Sequence, residues 1–260
     1  ASFTHISALN FFKHCGTFVQ QESLYDIFRD VEKGQSHYGV VPVENSIEGV
    51  VNHTLDLFMD FSLRICGEHY EPISHDLLSI TGEPGDVQQI CSHPQALAQC
   101  AEYINRKGLQ AMPYFDTAGA AAMVASSDEP GIAAIATVAA AEFHSLEILA
   151  EDIETNPRNY TRFVVISKED TPDPEGADKT SFTFAIKSEP GSLADCLSVL
   201  KKYGINMNKL ESRPIHGKPW SYKFYVDAML PEDPEGFAKA ESELSETAEE
   251  YRNLGFYRGS

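Results

Sequence analysis

Thr161, Arg162 and Phe163 stand at the head of "NYTRFVVI", a run that otherwise reads as a buried strand. A hydroxyl beside a guanidinium at such a point admits two readings. One is a surface strand end, with Thr161 ordinary and Arg162 solvated. The other is a site, with Thr161 donating a hydrogen bond to developing charge and Arg162 clamping an anion. Alternation along a strand puts Thr161 and Phe163 on one face and Arg162 on the other. Arg162 therefore also has a reading as a structural ion-pair partner. Polar residues recur wherever a strand hands over to a helix: Thr4 in "SFTH", Asn45 and Ser46 in "VVPVENSIEG", Ser92 and Gln99 in "CSHPQALAQC", and Thr117 in "FDTAGAAA". Helix capping explains any one of them. Several in one α/β stretch point to a cleft lined by hydroxyls, amides and backbone N–H groups.

Other chemistries lack their residues. No G-x-G-x-x-G follows a strand, and no P-loop or G-x-S-x-G elbow is present. The cysteines (Cys15, Cys66, Cys91, Cys100 and Cys196) are odd in number and contain no C-x-x-C. This argues against a disulfide scaffold and a zinc site, and for a reducing compartment. The histidines show no H-x-x-x-H or H-E-x-x-H pairing. No metal and no cofactor are expected, so catalysis would rest on positioning and hydrogen bonding. A net charge of −19 disfavours nucleic acid and anionic membranes as partners. A cytoplasmic location is expected.

Strands and helices alternate up to residue 168, which predicts α/β architecture with a largely parallel sheet. One helix is expected from a Ser46 cap through "SIEGVVNHTLDLFMD", and another spans "HPQALAQCAEYINRKG" without a break. "HYGVVPV" is expected to be a strand ending at Pro42. "SKEDTPDPEGADKT" reads as a linker. Beyond it the order is β-α-β-β-α-β, the ferredoxin-like arrangement. Its second helix is expected to reach Gly255, with "FYRGS" as a last strand.

The segments "SFTH", "YGVVPVENSIEGVVNHTLDL", "SHPQALAQC", "DTAGAA", "AAIA", "NYTRF", "PGSL" and "ESRP", in this order, resemble a prephenate dehydratase of the bacterial type. The resemblance covers essentially the whole chain. Ser192 departs from it, standing where the family usually has alanine. The resemblance implies conversion of prephenate to phenylpyruvate, carbon dioxide and water, a step of phenylalanine biosynthesis. It implies a catalytic domain over 1–168, built as two α/β lobes like the type II periplasmic binding proteins, with the active site between them. A linker over 169–178 and an ACT regulatory domain over 179–260 would follow. Thr161 would be the catalytic donor, Arg162 a clamp for the pyruvyl carboxylate or a structural partner, and Phe163 a wall for the ring. Thr4, Asn45, Ser46, Ser92, Gln99 and Thr117 would bind substrate. Gly191, Ser192, Leu193, Asn206, Leu210, Glu211 and Ser212 would hold feedback-inhibiting L-phenylalanine. A homodimer or homotetramer is implied. Two rivals stay open: an arogenate or mixed-specificity dehydratase, and a solute-binding module with an amino-acid sensor and no turnover.

Overall fold

The computed structural model describes residues 2–13, 15–169, 173, 175–215, 217–231 and 233–259. The first elements are α1 (Phe3–Phe11), α2 (Leu24–Glu32), β1 (Tyr38–Asn45), β2 (Gly49–Val50), α3 (Asn52–Asp60) and β3 (Leu63–Pro72). Then come β4 (Asp76–Ser79), β5 (Gln89–Ser92), α4 (Pro94–Gln99), α5 (Ala101–Lys107), β6 (Gln110–Pro113) and α6 (Thr117–Ser126). They are followed by β7 (Ile132–Ala136), α7 (Val138–His144), β8 (Glu147–Ala150) and β9 (Tyr160–Lys168). The last are β10 (Lys179–Ala185), α8 (Ser192–Lys202), β11 (Met207–Pro214), β12 (Tyr222–Met229), α9 (Pro234–Thr247) and β13 (Glu250–Tyr257). Of the expected linker, 170–172 and 174 lie outside the described residues. No helix among the described residues is long and apolar enough to cross a membrane.

Contacts divide the chain into two compact units. The first comprises Ala1–Phe18, Ser46–Glu48 and Glu71–Thr161. Its sheet has the order β6-β5-β7-β4-β8. Strand β5 runs parallel to β6 and β7, whereas β4 is antiparallel to both β7 and β8. The sheet is therefore mixed, not largely parallel. Strand–helix alternation constrains consecutive strands, but β4 pairs with strands distant in sequence, whose direction the alternation does not specify. Neighbouring residues on each strand enter opposite cores: Ile90, Ala133 and Leu77 on one side, Cys91, Ala134 and Leu78 on the other. Both faces are thus covered by helices. The helix expected over "HPQALAQCAEYINRKG" is broken into α4 and α5 at Cys100, which departs from helical dihedrals (φ −103°, ψ 15°).

The second unit comprises Val19–Asn45, Gly49–Tyr70 and Arg162–Ser260. It contains two sheets, β2-β1-β9-β3 and β11-β12-β10-β13. The first sheet packs through Val41, Val43, Ile65, Val164 and Ile166 against α3 residues Leu55 and Phe58. Tyr225, Leu254 and Tyr257 from the second sheet join the same core. The other face of that second sheet packs on α8 and α9 through Phe182, Phe184, Leu200, Val226 and Leu244. Strand β10 is consequently buried along its whole length, polar residues included.

Four expected boundaries move. Strand β1 runs through Pro42 to Asn45. Strand β2 pairs only with Glu44 and Asn45, so Pro42 meets no ladder donor requirement on that side. Ser46 is not a helix cap, because Gly49 takes a positive φ of 83° and turns the chain back into β2, delaying α3 to Asn52. Helix α9 stops at Thr247, and β13 starts at Glu250, earlier than expected. Burial of Leu254 and Tyr257 at 0% exposure accounts for the change from helix to strand. Gly255 has φ +130°, and a Cβ there would lie 2.3 Å from the Ile65 carbonyl oxygen. Only glycine permits this approach of β13 to β3.

Candidate active site

Parallel strands β5, β6 and β7 end at one edge of the first unit's sheet, where chain passes to α4, α6 and α7. Ligand sites of α/β sheets lie at such edges. Ser92 is the last residue of β5, paired with Pro113 of β6, and Thr117 opens α6 behind an Asp116 cap. Thr137 caps α7, its hydroxyl accepting from Ala140 N at 3.3 Å. Antiparallel β4 brings Asp76 opposite Ala136, so His75 reaches the same edge from the other direction. Its Nε2 lies 2.8 Å from Gln99 Oε1 at the end of α4. Ser92 is fully buried, and its hydroxyl donates to the Ile135 carbonyl at 2.7 Å. Its one proton stitches β5 to β7, which leaves only lone pairs for a ligand.

Thr161 lies near the start of β9 and is partly buried. The residues before it are clamped. Ser46 N donates to the Tyr160 carbonyl at 2.8 Å, and Tyr160 N donates to Ser46 Oγ at 2.9 Å. The Ser46 hydroxyl donates to the Arg158 carbonyl at 3.3 Å. Ser46 is thus committed to holding the chain that leads into Thr161. Ile73 N adds a bond to the Asn159 carbonyl at 2.8 Å. Thr4 lies in the first turn of α1, behind the Ser2 cap. Asn45 ends β1 in the other unit and is buried.

Arg162 turns into the second unit and is only 4% exposed. Its Nε donates to Glu68 Oε2 at 2.7 Å, one terminal nitrogen to Asp227, and the other to the Tyr257 hydroxyl at 2.9 Å. Lys179 Nζ meets the same Glu68 carboxylate at 2.8 Å. Ser181 and Tyr225 donate to the second Asp227 oxygen, Tyr225 at 2.8 Å. The cluster holds two cations and two carboxylates, all buried, with hydroxyls satisfying the remaining lone pairs. Burial pushes the Asp227 carboxyl up, but Arg162 and the donors around it outweigh burial and hold it below the usual carboxylate range. Phe163, 2% exposed, belongs to this buried run.

Residues 1–171 match the profile of the family described as prephenate dehydratase. The chain belongs to that family. It is 42% identical over 259 residues to the bifunctional chorismate mutase/prephenate dehydratase of Aquifex aeolicus (strain VF5), covering 99% of this chain and 71% of that one. A prephenate dehydratase from Arthrobacter aurescens, solved in complex with L-Phe, superimposes with a TM-score of 0.90 at 31% identity, covering 99% of this chain and 87% of that one. A structure described as a novel type of quorum quenching acylase also has a TM-score of 0.90, at 32% identity, covering 100% of this chain and 95% of that one.

In this prephenate dehydratase family member, the residues expected to hold phenylalanine divide between two faces of β11. Leu210 and Ser212 are exposed, whereas Glu211 is half-buried on the opposite face with Lys209 and Arg213. That inner face is salt-bridged: Lys209 Nζ to Glu44 at 2.8 Å, and Arg213 to Asp56 through two contacts of 2.7 and 2.8 Å. Gly191 caps α8 at φ 92°, and nothing lies within 4 Å of a Cβ built on it. Ser192 Oγ donates to the Glu189 carbonyl, Leu193 packs on the core beneath α8, and the Asn206 amide reaches Asn208. Sequence reasoning missed His75, Thr137, Glu68, Asp227 and Lys179. Charged residues inside the apolar strands "LRICGEHYEPI" and "YKFYVDAM" were the available signal for Glu68 and Asp227, and neither could be paired from spacing.

Proposed function

We propose that this chain converts prephenate to phenylpyruvate, carbon dioxide and water. The observation that carries the reading is the family match over residues 1–171, a stretch that contains Thr161 and the polar edge formed by Ser92, Gln99 and Thr117. Loss of the ring carboxylate as carbon dioxide pushes an electron pair through the cyclohexadiene toward the 4-hydroxyl. That hydroxyl leaves as water, taking up one proton that comes ultimately from solvent, and aromatisation drives the step. The protein's task is to hold a dianion and assist the leaving hydroxyl. Thr161 donates to that oxygen as a preorganised donor; it is too weak an acid to protonate it alone. The clamped segment 158–160 and the committed Ser46 limit the freedom of that donor. Arg162 takes the structural alternative, because Nε and both terminal nitrogens are engaged within the protein.

The regulatory part of the reading is that residues 179–260 form an ACT-type module whose phenylalanine site uses Gly191, Leu193, Leu210 and Ser212. Support comes from its β-α-β-β-α-β order, the exposed face of β11, and the L-Phe complex of the Arthrobacter relative. Two α/β lobes of the periplasmic-binding type and a homo-oligomer complete this proposal. Arogenate dehydration remains the nearest rival. Amide hydrolysis is a second reading, favoured by the likeness to the quorum-quenching acylase. Incubation with prephenate, arogenate and an N-acyl amide separates them. Phenylpyruvate from prephenate is expected; release of free acid from the amide without phenylpyruvate would overturn the reading.

A further inference from the structure

His75 is 2% exposed and belongs to the same compact unit as Gln99. Its backbone is fixed on both sides: His75 N donates to the Glu154 carboxylate at 2.9 Å, and Ile153 N donates to the His75 carbonyl at 2.9 Å. The Phe3 ring packs edge-on against the imidazole, with centroids 5.8 Å apart. The ring therefore has little room to turn. Its Nε2 meets the Gln99 side-chain amide at 2.8 Å, while Nδ1 is buried with no hydrogen-bond partner among the described residues.

Two arrangements satisfy the short contact. In one, Nε2–H donates to the amide oxygen and Nδ1 is a bare lone pair. In the other, the amide is reversed, Gln99 donates to Nε2, and the proton sits on Nδ1 with no acceptor. A buried N–H without an acceptor is the rarer and costlier fault. The first arrangement wins, and it directs both N–H bonds of the Gln99 amide away from His75.

We propose that His75 is a positioning residue that holds the Gln99 amide with its NH2 group toward the ligand, so that this position accepts a carboxylate or keto oxygen and rejects an ammonium. The proposal rests on the reading of Gln99 as a substrate-binding residue of the dehydratase. It gives the polar edge a donor polarity suited to a dianion.

Long-range proton–nitrogen NMR of the imidazole needs no variant and reads the tautomer directly. A proton on Nε2 is expected; a proton on Nδ1 would overturn the proposal. Kinetics test the consequence. His75→Phe keeps a ring and removes the donor, and should raise KM for prephenate about three- to tenfold with kcat little changed. His75→Gln restores a donor and should recover most of that loss. In a Gln99→Leu background, His75→Phe should add nothing further, because it acts only through that amide. Equal losses in both backgrounds would mean a merely structural histidine and would defeat the proposal. A wild-type chain that formed no phenylpyruvate would remove the dehydratase reading, while the imidazole resonances would still decide whether the amide is held.

Discussion

At the scale of single residues, Thr161 and Arg162 are neighbours in sequence with opposite fates. Thr161→Ala should lower kcat by about 10²–10³, the usual cost of one preorganised donor. A pure binding protein would lose only about 0.5–1.5 kcal/mol of affinity for the same change. Stopped-flow or steady-state turnover beside a binding titration distinguishes the two. Asp227→Asn should instead destabilise by about 3–5 kcal/mol, since it leaves Arg162 buried with a partner removed. The acid limb of stability should change as well. Asp227 titrates lower folded than unfolded, so its contribution is full above the ordinary carboxylate range, near pH 4, and disappears as pH falls through the depressed folded value. Urea midpoints measured below pH 4 should therefore fall less steeply in the asparagine variant than in the wild type. Thr161, Arg162, Ser92 and Gln99 stood out as candidates in the chain, whereas His75, Glu68 and Asp227, and every long-range pairing, did not. Ser92 bonds a carbonyl 43 positions away, and Arg162 meets Glu68 at a separation of 94 and Asp227 at 65. Spacing rules reach only along one element.

Among elements, β11 and β13 carry the arguments that sequence alone could not make. The expected β-α-β-β-α-β order includes β11, along which half-buried and exposed residues alternate. Periodicity missed the start of β13, because "EEYRNLG" is compatible with helix until Leu254 and Tyr257 are needed in a core shared with α3 and β3. Gly255→Ala should destabilise by about 1–3 kcal/mol or more, as Ile65 backbone cannot yield to a side chain at 2.3 Å. A differential scanning measurement checks it; an unchanged Tm would mean the strands separate at no cost. Strand β11 joins two faces: one exposes Leu210 and Ser212, the other salt-bridges Glu44 and Asp56. Arg213→Ala should therefore weaken phenylalanine inhibition several-fold in half-inhibitory concentration while leaving uninhibited turnover within about twofold. Inhibition curves that superimpose would remove β11 as a route between the sites.

For the molecule as a whole, composition argues against some classes of partner but identifies no substrate. The acidity of the chain leaves anion binding to local donors, and on the proposed reading the Gln99 amide and the Thr161 hydroxyl supply them. The cysteines are free thiols: Cys15 is exposed, Cys66 half-buried, and Cys91, Cys100 and Cys196 buried. Cys100 is fully buried, and burial, with Glu154 and Asp76 adding to it, pushes its thiol up to about 12. Native protein treated with a thiol reagent at pH 8 should react quickly at exposed Cys15 and only slowly at Cys91, Cys100 and Cys196. Rapid labelling of Cys100 would contradict the packing described for α4 and α5.

Thr161 stands at the centre of the proposed dehydratase chemistry. The most direct test is phenylpyruvate formation from prephenate at neutral pH, by the wild-type chain and by Thr161→Ala, with and without L-phenylalanine. Turnover by the wild type, suppression by phenylalanine, and a rate at least about a hundredfold lower in the alanine variant are expected. Equal turnover by both folded proteins would contradict this role.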